Sequence, residues 1–81
     1  MGIKFWGYAK SSSRSAPTQL SEVTLIASPA QLRKIAKFIE AAANGIEQRG
    51  PNWEHEHLAD KVAGFKTSPG FIVFNQQHEK R

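Results

Sequence analysis

The chain has 81 residues, 40% of them hydrophobic, with a formal net charge of +4 and no cysteine. That length holds one domain, which buries roughly 60% of the surface its unfolded chain exposes. It excludes disulfide frameworks and thiolate chemistry, and no apolar run approaches the length of a membrane span. The opening residues Met1 to Trp6 carry no apolar h-region and no small-residue cleavage site, so no signal peptide is expected. The expectation is a cytoplasmic protein, since a small secreted domain more often carries disulfide staples.

Ile3 to Ala9 is rich in aromatics and reads as a strand. Residues 10–18, with Ser11-Ser12-Ser13, Ser15 and Pro17, read as a flexible hairpin loop. Leu20 to Ala27 holds a run of β-formers and reads as the antiparallel partner strand. Ser28-Pro29 is a helix start: serine accepts from a free backbone N–H, and proline at the first position has no N–H to leave unpaired. The helix is expected from Pro29 to about Glu47, with Leu32, Ile35, Ala36, Ile39, Ala42, Ala43 and Ile46 on its buried face. Arg33, Lys34, Lys37 and Glu40 fall outside, and Gly50-Pro51 blocks any continuation.

Trp53 to Leu58 is expected to form a strand, with Trp53, His55 and His57 on one face and Glu54, Glu56 and Leu58 on the other. Leu58 to Val62 reads alternatively as a short helical turn. Ser68-Pro69-Gly70 marks a turn, Phe71 to Phe74 a buried strand, and residues 76–81 a fraying tail. The fold class is therefore α+β: one domain, an antiparallel sheet of three to four strands with one long helix on one face, in the order strand-strand-helix-strand-strand.

One helix covers one face, yet these strands have apolar residues on both. Ile3 and Phe5 oppose Trp6 and Tyr8; Val23 and Leu25 oppose Leu20 and Ile26; Phe71 and Val73 oppose Ile72 and Phe74. The alternation of a half-solvated sheet is missing. A loop bearing Phe65, a second copy of the chain, or another protein would cover the second face. Trp6, Tyr8 and Trp53 are the aromatic candidates for such an interface.

Two of the three histidines lie in Trp53-Glu54-His55-Glu56-His57-Leu58-Ala59-Asp60. A metal site would draw on His55 and His57, with or without Asp60, but zinc takes four protein ligands, or three plus water. A histidine base would need a nucleophile or acid partner in a pocket, and no such motif accompanies the pair. Neither an enzyme nor a cofactor site is expected. The plain reading packs one histidine beside Trp53 with a hydrogen bond to a backbone carbonyl, leaves the other in solvent, and has Asp60 cap a turn near Leu58. The sharper reading makes Trp53, His55, His57 and Asp60 part of a recognition patch. The basic residues are scattered, and no zinc-finger spacing, ribonucleoprotein motif or glycine-rich phosphate loop accompanies them, so nucleic-acid binding is not expected.

Several stretches together resemble a family of small bacterial immunity proteins of polymorphic toxin systems. They are Phe5-Trp6-Gly7-Tyr8, Leu20 to Pro29, Leu32-Arg33-Lys34-Ile35-Ala36, His55-Glu56-His57-Leu58-Ala59-Asp60 and Phe71 to Asn75. The resemblance implies a non-enzymatic protein that binds and blocks a cognate toxin in the cytoplasm. It leaves the toxin open, and with it the alternatives of a self-associating structural protein or a metal-binding protein using His55 and His57.

Overall fold

The computed structural model describes residues 3–9 and 18–78. Residues 10–17 of the hairpin loop expected at 10–18, and 79–81 of the expected tail, lie outside them. Strands β1 (Lys4–Ala9) and β2 (Leu20–Ile26) pair antiparallel, Phe5 opposite Leu25 and Trp6 opposite Thr24, with a register shift between Tyr8 and Ala9. Helix α1 (Pro29–Arg49) follows, then a 3-10 turn at Gly50–Asn52. Strand β3 (His55–His57), helix α2 (Leu58–Lys61), strand β4 (Ile72–Phe74) and a second 3-10 turn (Gln76–His78) complete the chain.

The α+β class holds, but the single sheet of three to four strands does not form. The strands make two separate two-stranded ladders, β1-β2 and β3-β4. The second is short because α2 turns the chain out of extended geometry directly after His57, and beyond the strands the backbone adds one bond at each end, Leu58 N to Phe71 O at 2.9 Å and Asn75 N to Glu54 O at 2.7 Å. Side chains join the ladders instead: Phe71 stacks on Phe5 with ring centroids 5.4 Å apart.

The start of α1 follows from local chemistry. Ser28 Oγ accepts from Gln31 N at 3.2 Å, while Ser28 N donates to Gln31 Oε1 at 2.8 Å. This reciprocal pair satisfies the donors left free at a helix start. At the other end Gly50 takes φ 55° and its N–H bonds Ile46 O, a conformation glycine adopts without steric cost.

The helix turns a different face to the core from the one expected. Ile35, Phe38 and Ala42 are buried, whereas Leu32, Ala36, Ile39 and Ala43 are exposed. The apolar arc of α1 is wider than two narrow ladders cover, and the contact centres on the largest side chain in it. The Phe38 ring meets Phe71 at 6.2 Å. Ile3, Ile35, Phe38, Leu58 and Phe65 form the core cluster, with Phe5, Leu25 and Val73 packed against it. Phe65 therefore fills the core beneath α1 and does not screen the far side of the strands.

Asn75 ties the ends of these elements together. It is 2% exposed. Its Nδ2 donates to Trp53 O at 2.7 Å and Gly50 O at 3.1 Å, its N donates to Glu54 O at 2.7 Å, and its Oδ1 accepts from Gln77 N at 3.1 Å. His78 N donates to Asn75 O, and the His78 ring is hydrogen-bonded to the Pro51 carbonyl. The segment 76–78, expected to fray, is thus held against the end of α1. Replacing Asn75 by Leu orphans the buried carbonyl of Trp53 and the partly buried one of Gly50. The Asn75→Leu variant is expected to lose about 1–3 kcal/mol in urea unfolding; a loss below about 0.5 kcal/mol, the range of ordinary surface changes, would remove Asn75 from this role.

Candidate functional site

Direct pairing in the ladders decides which residues share a face. In the first ladder Lys4 lies opposite Ile26, Trp6 opposite Thr24 and Tyr8 opposite Glu22. In the second, His55 lies opposite Phe74 and His57 opposite Ile72. Directly paired residues point to the same side. Phe5, Leu25 and Val73 point the other way, into the core beneath α1. Both sets therefore turn away from the helix and form the outer faces of the two ladders.

These outer faces carry large apolar groups in solvent: Trp6 63% exposed, Tyr8 68%, Phe74 49% and Ile72 49%. Ile26 is half exposed beside them. Leu20, expected on this side, lies on the helix side, since a Cβ added to Gly7 would meet its Cδ1 at 2.8 Å. The register shift between Tyr8 and Ala9 reverses the alternation there.

The two histidines sit together, but not beside Trp53. The His55 ring stacks on Phe74 at 5.9 Å and 12°, and meets the His57 ring edge-on at 5.2 Å. His55 Nδ1 is 3.0 Å from Glu54 Oε1. Both side chains of that pair are well exposed, so it adds little stability. The histidine that bonds a backbone carbonyl is His78, not either of this pair. Among the described residues no group of three or more His, Cys, Asp or Glu converges as a metal site; two imidazoles fall short of the ligand number zinc takes.

Trp53 leaves the predicted patch. It is 9% exposed and lies against α1, where a Cβ on Gly45 would stand 2.6 Å from its Nε1. The absence of a side chain at Gly45 is what lets the indole seat. The strand begins at His55, after the Gly50–Asn52 turn, so alternation does not extend back to Trp53. Asp60 is exposed within the first turn of α2 and is not its cap; the N-cap position is His57, which makes no side-chain capping bond. The candidate residues thus fall on two outer faces: Trp6 and Tyr8 on the first ladder, and His55 and His57 on the second, where the structure adds Ile72 and Phe74. Their outward alternation was visible in the sequence, but their pairing with the histidines depends on ladder register.

No helix among the described residues is long and apolar enough to cross a membrane. The chain matches no family model, and no curated protein or solved structure is significantly similar to it. The outer aromatic groups make few contacts within the chain, so folding should not depend on them. The double variant Trp6→Ser, Tyr8→Ser is expected to unfold within about 0.5 kcal/mol of the parent in urea; a loss of several kcal/mol would mean that these side chains serve the fold.

Proposed function

We propose that the protein is a non-enzymatic binding module whose outer ladder faces dock a protein partner. The observation that carries this reading is the exposure of Trp6 and Tyr8 on one outer ladder face, and of Ile72 and Phe74 beside His55 and His57 on the other, in so small a domain. Aromatic side chains of this size supply most of the binding energy at interfaces when a partner desolvates them. The imidazoles add hydrogen-bonding groups within the same surface, which gives a partner polar contacts to match. The resemblance to immunity proteins supplies the partner: a cognate bacterial toxin, bound and blocked in the cytoplasm.

The test is co-purification with the product of an adjacent toxin-domain gene, followed by a calorimetric titration. Binding of the parent and a rise in Kd of about tenfold or more for Trp6→Ser, Tyr8→Ser supports the reading. Protection of cells from the toxin by this double variant at parental level would sink it.

A second reading is favoured by one specific feature, the β2 edge. β2 is seven residues long and pairs only with β1 among the described residues. It carries Glu22 as its one charge, no lysine and no proline, while Leu20, Val23 and Ile26 are about half exposed or more. Edge strands of this kind are usually protected by charge, proline or cover. Antiparallel pairing of two β2 strands about a two-fold axis would satisfy the open edge and make a homodimer. Light scattering over a range of concentrations decides: a rising mass that reaches the dimer supports it, and a monomer throughout rejects it.

A further inference from the structure

On the helix side, away from the outer faces, α1 and the β3-α2 segment enclose an open cleft of about 630 Å³. That size falls within the range of small-molecule sites. Phe38, Ala42, Trp53 and Val62 give it apolar walls. Lys34, Lys37, Arg49 and Lys61 line it with positive charge, and Glu56 is the one carboxylate among the lining residues. Lys61 Nζ lies 3.9 Å from Glu56 Oε1 and offsets it. Lys34, Lys37 and Arg49 have no carboxylate at ion-pair distance among the described residues. Lys34 reaches across from α1 to the loop after α2, with its Nζ 4.0 Å from where a Cβ on Gly64 would stand.

The cleft wall also holds a hydrogen-bond donor. Trp53 forms part of the wall of this cleft, and its indole N–H, which bonds no described residue, stays accessible to solvent. An accessible indole N–H donates to water or to a ligand that displaces it. Here Trp53 is placed against Gly45, and both residues line the cleft. The donor and the unpaired cations thus line one concave space with apolar walls.

We infer that this cleft binds a small organic anion, a carboxylate or phosphate carried on an aromatic or branched aliphatic body. The apolar walls take the body, the cations of α1 take the charge, and the Trp53 N–H donates to an anionic oxygen. The inference is independent of the partner surface on the outer faces and survives its loss. An extended acidic chain fits the site less well, because the cations rim a bounded cleft and do not run along an open stripe.

The experiment follows the Trp53 indole N–H in a proton–nitrogen correlation spectrum of the full chain carrying Trp6→Phe, which leaves Trp53 as the only tryptophan. The probes are 3-phenylpropionate, phenyl phosphate, neutral 3-phenylpropan-1-ol and a hexaglutamate peptide. The expected result is a saturable shift of the indole signal with at least one of the two anions and a response at least about tenfold weaker to the alcohol and the peptide. Comparison of the two anions identifies carboxylate or phosphate as the preferred group. Lys34→Gln with Lys37→Gln, both at exposed helix positions, should weaken binding about tenfold. Glu56→Gln should strengthen it, because the competing carboxylate is gone. No indole shift with either anion up to about 10 mM, an equal shift with the alcohol, a stronger one with the peptide, or affinity unchanged in the lysine variant would each overturn the inference.

Discussion

One buried amide organises the closing half of this molecule. Asn75 bonds the carbonyls of Gly50, Trp53 and Glu54 and accepts from Gln77, so it meets the end of α1, the lead into β3 and the chain beyond β4. The Trp53 carbonyl is buried and that of Gly50 partly so, and a buried hydrogen bond left unmade is costly. β3 and β4 are three residues each, too short to hold register by pairing alone. The side chain of Asn75 does what a longer ladder would do. It fixes where β3 starts, and that in turn sets His55 against Phe74 and His57 against Ile72.

The same anchor explains the divergence of Trp53 from the histidines. With Gly50, Trp53 and Glu54 all bonded to one residue, the backbone turns before extended pairing begins. Trp53 is left on the helix side, where Gly45 makes room for it. The outer surface and the basic cleft are thus two consequences of one turn. Shift the strand start by two residues and Trp53 would stand beside the histidines, while the cleft would lose its aromatic wall.

What could be read from the sequence was what depends on near neighbours. Ser28 and Pro29 begin α1 as their own chemistry dictates, and Gly50 ends it. The β1-β2 pair follows from its composition, and the outward set Trp6, Tyr8, Ile72 and Phe74 from simple alternation. The buried face of α1 was not legible, because its apolar arc spans both the buried Ile35, Phe38 and Ala42 and the exposed Leu32 and Ile39. Periodicity gives the arc, and only the packing partners choose its centre. Asn75 was not legible as an anchor either, since its side-chain partners lie 22 and 25 residues earlier. The split into two ladders has the same origin: α2 diverts the chain after His57, and no local signal distinguishes that from a continuing strand.

Among the described residues seven hydrophobic side chains are buried, and nine large ones are exposed. Six partly buried hydrophobic residues extend that core, yet many large apolar side chains stay half in water. The exposed set is also not random. Trp6, Tyr8, Ile72 and Phe74 lie on the outer ladder faces, Leu32 and Ile39 on one stripe of α1, and Leu20 and Val23 on the inner side of β2 near its open edge. The cations behave differently: Lys34, Lys37, Arg49 and Lys61 gather at the cleft, and only Lys4 among the paired β1-β2 positions joins the outer face. The outer ladder faces are thus mainly apolar, and the cleft is mainly basic. A single partner gripping both sides would have to wrap the domain, whereas two ligands of different chemistry would each meet a surface already suited to it.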